Sequence, residues 1–169
     1  MPAPGHKNDQ VTSVVCAVLT VSDTRTAETD KSGQLIRELV TTAGHTIHAY
    51  SLLKDDPPVI REALVRWRDD PGCQAVLITG GTGLAARDTT YEVVDGLLEK
   101  RLDGFGELFR ARSYDQIGAA AMLSRAVGGA MATTAVFAMP GSTAAVRLAM
   151  TDLILPELRH VVHLLATRR

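Results

Sequence analysis

The sequence predicts an α/β domain in which a mostly parallel sheet lies between helices. Segments of strand length alternate along the chain with segments whose apolar residues recur at helical spacing. The first segment of strand length, residues 14–21, is a nearly continuous apolar run rich in Val, which is typical of a strand buried on both faces of a parallel sheet. With 169 residues, of which 46% are apolar, the chain has the size of one domain with a substantial core.

The first half of the chain contains three predicted strands and two predicted helices. The strands cover residues 14–21, 46–53 and 75–79, and the helices cover residues 31–43 and 57–68. Gly44 suits the C-terminal end of the first helix. Asp56 suits the N-cap of the second helix, and Pro57 suits its first position.

The second half continues the alternation. It contains a predicted helix at residues 91–100, a strand at 133–139 and helical structure over 143–167. Thr89 and Glu92 have the spacing of a capping box before the first of these helices. Residues 104–125 are expected to form two short helices, and Pro156 is expected to break the last one.

The composition excludes several classes of protein. A net charge of −1 argues against broad binding of nucleic acid or anionic membrane, and no apolar run approaches the roughly 18 residues of a membrane span. Residues 1–12 lack the apolar stretch of a secretory signal and are predicted to be a flexible tail before a single domain at 13–169. Cys16 and Cys73 favour neither a disulfide framework nor a zinc site. We therefore expect a reduced, cytoplasmic protein.

Residues with binding chemistry follow the predicted strands. They are Ser22 and Asp23, then Asp55, then Gly80, Gly81, Thr82 and Gly83, and finally Pro140, Gly141 and Ser142. Ligands of parallel sheets bind at the carboxyl ends of the strands, so this placement indicates a binding site. The alternative is that these residues simply form turns, as they do in many loops.

Residues 80–83, called the glycine loop below, are the strongest single motif. A loop with three glycines can turn several backbone N–H groups toward phosphate oxygens. A tight turn is the alternative. Gly81, Gly83 and Ala86 also match the dinucleotide fingerprint G-x-G-x-x-A, and a nucleotide-dependent oxidoreductase is therefore a further hypothesis. The match is weak, because that fingerprint belongs after the first strand and directly before a helix.

Two aspartates accompany the glycine loop. A carboxylate beside a phosphate site repels the ligand unless a cation neutralises it, and Mg²⁺ bridges carboxylates to phosphates. Asp88 is therefore a candidate metal ligand, with Asp55 as a second. The alternatives are an ion pair between Asp88 and Arg87, capping of the helix near Thr89, and a capping role for Asp55.

Phe105 and Phe109 lie in an unusual segment, residues 104–110, that combines two aromatic residues with charged ones. Their spacing places both rings on one side of a helix. A contact in the core or between subunits is favoured over a wall of the ligand site.

Taken together, these motifs resemble the MoaB/Mog family of molybdopterin-binding proteins. The residues that carry the resemblance are Leu19 to Asp23, Ser32 with Gly33, Asp55, Thr79 to Gly83, Arg87, Asp88, Thr90, Glu92, Gly104 to Arg110, Leu123 to Ala126, Phe137 to Ser142 and Leu155 to Leu158. The segment from Phe105 onward is more similar to the MoaB branch. Tyr91 departs from the family pattern, which has Pro at that position.

The resemblance implies a three-layer sandwich, the molybdopterin-binding fold, and a homotrimer or a dimer of trimers. It implies Mg²⁺-dependent adenylyl transfer from ATP to molybdopterin, or molybdopterin binding without catalysis, and contact with other proteins of molybdenum cofactor biosynthesis. Asp55 and Asp88 match the catalytic acids and are the expected metal ligands. The residues expected to bind nucleotide and pterin are Ser22, Asp23, Gly80, Gly81, Thr82, Gly83, Ser124, Pro140, Gly141 and Ser142.

Overall fold

A computed structural model describes residues 11–167 of the chain. The strands are β1 (Val15–Val21), β2 (Thr46–Leu53), β3 (Ala75–Thr79), β4 (Lys100–Arg101), β5 (Val127–Met131) and β6 (Thr134–Met139). The α-helices are α1 (Lys31–Thr42), α2 (Pro57–Asp69), α3 (Thr90–Leu97), α4 (Asp103–Ile117), α5 (Thr143–Leu148) and α6 (Leu155–Ala166). A 3₁₀ segment, Gly118–Leu123, follows α4, and a π-helical segment, Ala149–Ile154, joins α5 to α6.

The strands form one mixed sheet in the order β2-β1-β3-β6-β5-β4. The four strands from β2 to β6 in that order are parallel, and β5 and β4 add antiparallel pairs at one edge. One core packs α1, α4, α5 and α6 against the sheet, and a second core packs α2 and α3 against the other face. The predicted three-layer α/β sandwich with a mostly parallel sheet is therefore confirmed.

Strands β4 and β5 are absent from the sequence-based prediction, because Gly128 and Gly129 lower the strand propensity of β5. The structure shows why glycine stands there. A side chain at Gly128 would come within 2.8 Å of the ring of Phe137, and one at Gly129 would collide with the carbonyl of Lys100. The glycines thus allow β5 to lie close to its neighbours, and packing outweighs propensity.

Two predictions about the helices need correction. Residues 104–125 form one α-helix and a 3₁₀ segment, not two short α-helices. The last helix does not break at Pro156. The π-helical segment ends at Ile154 and continues directly into α6, whose first turn contains Pro156; a π-helical insertion of this kind is a local adjustment of the helical hydrogen-bond ladder.

The ends of α1 and α2 follow the prediction more closely. Gly44, with a φ of +83°, follows the C-cap of α1, and Pro57 opens α2. Asp56 is the N-cap of α2, but its side chain makes no capping hydrogen bond.

The N-terminal part of the chain is described only from Val11 onward. Residues 1–10 of the predicted tail lie outside the described residues, and Val11 is half-buried against the larger core. Across residues 11–167, no helix is both long enough and apolar enough to cross a membrane.

Candidate functional site

The glycine loop lies at the centre of the carboxyl edge of the sheet. Gly80 follows β3 directly and has a φ of +95°, and its N–H donates to the carbonyl of Met139 at 3.0 Å. A side chain at Gly80 would collide with the carbonyl of Val21, at the end of β1. The loop is therefore enclosed between the strands on either side of β3, which explains the first glycine.

Gly81 brings the loop against the Asp55 carboxylate. Its φ is +69°, a left-handed conformation that favours glycine. A Cβ there would lie 2.7 Å from Asp55 Oδ2 and still closer to the hydroxyl of Thr90. The backbone is thus close to a carboxylate, which a simple tight turn does not require.

Asp55 is held by groups from two other loops. Its Oδ1 accepts the backbone N–H of Thr89 at 3.0 Å and also the Thr89 hydroxyl. Its own N–H donates to Asp23 Oδ1 at 3.0 Å. The structure thus brings together three predicted parts of the site: Asp23, Asp55 and the glycine loop. The Asp55 side chain does not cap α2. It accepts a hydrogen bond from the N–H of Thr89, the residue directly before α3.

Asp88 approaches the same loop two residues further along. Its Oδ2 accepts the N–H of Ala85 at 3.2 Å and would lie 2.6 Å from a Cβ at Gly83. Asp55 and Asp88 therefore flank the glycine loop at Gly81 and Gly83. Two carboxylates beside a loop of backbone N–H groups suit a divalent cation that is completed by phosphate and water.

The hydroxyl of Thr90 is an unusual feature of this site. It is buried, has no hydrogen-bond partner among the described residues and faces Gly81. A buried hydroxyl without a partner is costly, and such groups in native proteins call for an explanation such as a ligand or water. The orphaned hydroxyl makes the space beside Gly81 a candidate position for a polar group of a ligand.

Arg125 is a residue of this site that the sequence analysis missed. Its guanidinium donates to the carbonyls of Thr82 (3.2 Å), Gly83 (2.6 Å) and Asp88 (3.2 Å). It also pairs with the carboxylate of Glu92, and this hydrogen bond lowers the pKa of Glu92. The Leu-Ser-Arg-Ala motif contained the signal, but only the fold brings it to the loop.

Tyr91 supports the same arginine. The Arg125 guanidinium lies over the Tyr91 ring, 4.9 Å from its centroid. The Tyr91 hydroxyl accepts a hydrogen bond from Arg101 Nη2 at 3.2 Å. Tyr91 therefore contacts two arginines at the candidate site.

The predicted capping box at α3 is wrong. Thr89 is the N-cap by position, but its side chain makes no capping hydrogen bond. The Thr89 hydroxyl binds Asp55 instead, and Glu92 binds Arg125. Both side chains serve contacts with distant loops, which the local spacing does not reveal.

A second missed residue, Asp30, organises the loop after β1. It is buried and accepts hydrogen bonds from the hydroxyls of Thr20 and Tyr50, both at 2.6 Å, and from the N–H of Gly33 at 3.0 Å. Arg25 lies 3.5 Å away. Burial acts to raise the pKa of Asp30, but these hydrogen bonds and Arg25 outweigh it, so the pKa lies below its ordinary value. We call Asp30 with these four partners the Asp30 hub.

Arg25 connects the Asp30 hub to the loop after β6. Its Nη2 donates to the carbonyl of Gly141 at 2.7 Å, and its Nη1 contacts the hydroxyl of Ser32. Gly141 packs against Gly80, since a Cβ at Gly141 would lie 3.4 Å from the Gly80 Cα. The loops after β1, β3 and β6 are therefore in contact.

Several predicted binding residues have their polar groups engaged within the protein. Ser22 Oγ accepts the N–H of Arg25 at 3.1 Å, and Ser142 Oγ accepts that of Ala145 at 3.1 Å as the N-cap of α5. The Pro140 carbonyl accepts the hydroxyl of Thr79 at 3.2 Å. These residues shape the site through the backbone.

Ser124 directly precedes Arg125 in the chain and lies in the wall of a cavity. This cavity has a volume of about 430 Å³, and its walls also include Tyr91, Arg101, Gly106, Arg110, Met122 and Arg125. Arg125 thus contacts the glycine loop and also lines this cavity. Phe105 and Phe109 are buried in the core, where Phe105 packs edge-on against Phe137 at 5.1 Å, as the core interpretation expects.

Comparisons with known proteins identify the family of this chain. The model of a family described as "Probable molybdopterin binding domain" matches residues 17–160. Molybdenum cofactor biosynthesis protein B of Bacillus anthracis is 51% identical over 162 residues, which cover 95% of this chain and 96% of the relative.

Solved structures give the same result. A crystal structure of a molybdenum cofactor biosynthesis protein B superposes with a TM-score of 0.90 at 50% identity, covering 94% of this chain and 99% of the other. The molybdopterin biosynthesis enzyme MoaB from Thermus thermophilus superposes with a TM-score of 0.80 at 34% identity, covering 92% and 98%.

Proposed function

Because this chain belongs to the molybdopterin-binding domain family of molybdenum cofactor biosynthesis proteins, we propose that it is a molybdopterin adenylyltransferase. The observation that carries the proposal is the pair of carboxylates, Asp55 and Asp88, at Gly81 and Gly83 of the glycine loop. A site that only binds an anionic pterin gains nothing from two carboxylates beside it. A site that assembles two phosphorylated reactants with a cation requires them.

The proposed reaction joins two phosphates. The terminal phosphate of molybdopterin attacks the α-phosphorus of ATP, a new P–O bond forms, and the bond to the departing pyrophosphate breaks. The nucleophile is already ionised at neutral pH, so neither aspartate needs to remove a proton. The barrier is then largely charge repulsion and positioning, which the loops of this site address.

The residues present fit Mg²⁺. Asp88 and Asp55 would hold it, and no third acidic, histidine or cysteine ligand joins them within residues 11–167. One or two carboxylates with phosphate and water is the coordination that Mg²⁺ usually takes in nucleotide sites. When bound, Mg²⁺ would neutralise part of the negative charge of the α-phosphate and of the pyrophosphate. The Gly80 N–H already donates to the carbonyl of Met139, so the N–H groups from Gly81 to Gly83 would hold the phosphate oxygens, and the Thr90 hydroxyl would donate to one of them.

The pterin is proposed to occupy the cavity that Ser124 and Tyr91 line. Its volume of about 430 Å³ lies within the range of small-molecule sites. Arg125 lies between this cavity and the glycine loop, so the two reactants would meet along its edge.

The decisive experiment incubates the protein with molybdopterin, ATP and Mg²⁺ and measures adenylyl-molybdopterin and pyrophosphate. Asp88→Asn should lower turnover by about two orders of magnitude while sparing pterin binding, because it removes a charge that holds the cation. Asp69→Asn is the matched control, because Asp69 forms an exposed ion pair with Arg68 at the other end of the sheet. Pterin binding without product in the wild-type protein would select the non-catalytic function, and full activity of Asp88→Asn at limiting Mg²⁺ would refute the ligand role.

A homotrimer is part of the proposal. Exposed apolar side chains concentrate on α4 and the 3₁₀ segment after it: Leu108, Tyr114, Ile117, Met122 and Leu123. An exposed apolar patch of this kind marks a contact surface. Light scattering coupled to size exclusion should give three times the chain mass, and Ile117→Lys should dissociate the assembly. A monomeric wild-type protein would refute this part.

A further inference from the structure

Arg125 makes an arrangement that the proposed reaction does not by itself explain. Its single guanidinium binds three carbonyls, from Thr82, Gly83 and Asp88. A peptide group directs its C=O and the N–H of the next residue in opposite directions. Each carbonyl that faces Arg125 therefore turns the following N–H away from it.

One of these peptides provides an internal check. The Asp88 carbonyl accepts from Arg125 at 3.2 Å, and the N–H of the next residue, Thr89, donates to Asp55 Oδ1 at 3.0 Å on the other side. By the same geometry, the N–H groups of Gly83 and Leu84 point away from Arg125. Those are groups that a phosphate would bind in a nest of backbone donors.

The orientation of Arg125 is in turn set by two residues of α3. Glu92 accepts hydrogen bonds from both terminal nitrogens of the guanidinium, and the Tyr91 ring lies beneath it at 4.9 Å. Arginine suits this position because its planar fork reaches several acceptors at once and stacks on aromatic rings. Lysine offers only a point charge.

We propose that Arg125 is a positioning residue that holds the glycine loop in its phosphate-binding conformation, and that Tyr91 and Glu92 hold Arg125. The proposal rests on the proposed function, since it assigns the role of the loop to phosphate binding. The positive charge behind the loop adds attraction for the anion without touching it. Tyr91 therefore takes a specific role as the aromatic support of the Arg125 guanidinium.

The test first examines the loop without any reaction. Hydrogen exchange of the ligand-free protein should rise in peptides spanning residues 82–90 in Arg125→Lys, with exchange in β1 and β3 unchanged. The Kd for inorganic pyrophosphate with Mg²⁺ should rise about tenfold or more, as loss of a charge-assisted network predicts. Tyr91→Leu should give a smaller rise of about threefold, because the ring adds a cation–π contact.

Rescue separates positioning from general stability. In Arg125→Ala, millimolar methylguanidinium should recover part of the pyrophosphate affinity, which a merely structural role would not show. Arg68→Ala, at the opposite end of the sheet, is the matched control and should change neither exchange in the loop nor affinity.

The outcomes separate this inference from the proposed function. Arg125→Lys with loop exchange and pyrophosphate affinity within twofold of wild type would overturn it, as would exchange that rises evenly throughout the molecule. If the wild-type protein yields no adenylyl product but binds pyrophosphate in an Arg125-dependent way, the adenylyl transfer is refuted and the positioning role stands. If product forms and the Arg125 variants behave as wild type, the positioning role alone is refuted.

Discussion

Two arginines organise the carboxyl edge of the sheet in different ways. Arg25 belongs to the Asp30 hub, where a buried carboxylate has hydrogen-bond donors on several sides. Arg125 binds carbonyls of the glycine loop, and its carboxylate partner, Glu92, is exposed. The contrast teaches that one half of the edge is a rigid internal framework. The other half is the one that we propose binds the ligand, and the buried Thr90 hydroxyl, which has no hydrogen-bond partner within residues 11–167, lies there.

The largest expected effect tests the rigid half. Asp30→Ala should lower the free energy of unfolding by about 3–5 kcal/mol, because it leaves the hydroxyls of Thr20 and Tyr50 without their acceptor and deletes the N-cap of α1. Urea unfolding followed by circular dichroism measures this. Tyr50→Phe, which deletes a single donor to the same carboxylate, is the matched variant and should cost about 1.5–3 kcal/mol. A loss below about 1 kcal/mol in Asp30→Ala would remove the distinction between the two halves.

Substitutions in the half of the edge around the glycine loop should change ligand affinity more than the free energy of unfolding. Gly81→Ala forces a left-handed φ of +69° on a residue with a side chain and directs its Cβ at Asp55 and Thr90. Strain of this kind costs about 1–3 kcal/mol, and we expect the loop to move and the affinity for Mg²⁺-pyrophosphate to fall about tenfold or more. Isothermal titration calorimetry measures the affinity. Unchanged binding would show that the observed loop conformation is not the one that holds phosphate.

Acidification should affect the Asp30 hub in a defined direction. The pKa of Asp30 is depressed in the folded protein, so the folded state binds its proton more weakly than the unfolded state does. The stability that Asp30 contributes is present above its unfolded pKa of about 3.9 and is lost as pH falls through the folded pKa. Unfolding free energies measured between pH 6 and about pH 3 should decline less steeply in Asp30→Asn than in the wild-type protein. Parallel slopes would contradict the assignment.

The smallest expected effect comes from Gly96, a helix glycine that, unlike Gly81 of the glycine loop, has room for a side chain. Gly96 is exposed in α3, and a Cβ there meets no atom within 4 Å. Gly96→Ala should therefore raise the free energy of unfolding by about 0.5–1 kcal/mol and leave pyrophosphate affinity unchanged. A thermal melt with a binding titration tests both. A destabilised variant would show that α3 needs glycine for a reason other than space.

The sequence predicted much of the parallel half of the fold, because buried strands and amphipathic helices have local signatures. It also indicated that Asp23, Asp55 and the glycine loop would meet, since the carboxyl ends of parallel strands share one edge. Strand β5 was missed because Gly128 and Gly129 resemble turn residues until Phe137 and Lys100 are seen beside them.

The two arginines mark the limit of what the sequence could show. Arg125 reaches Thr82 across 43 residues, and Arg25 reaches Gly141 across 116. Local spacing predicted a capping box between Thr89 and Glu92. In the structure Thr89 binds Asp55 and Glu92 binds Arg125 instead. Hydrogen bonds between loops depend on where strands place them, and no local pattern encodes that.

The sequence by itself determined the layered α/β architecture, the position of the glycine loop after β3 and the presence of Asp55 and Asp88 beside it. Hydrophobic periodicity and turn chemistry are properties of neighbouring residues, so they can be read along the chain. Only the tertiary structure decided which face of the glycine loop is open. That choice rests on Arg125, which occupies the carbonyl side because β5 and α3 bring it there.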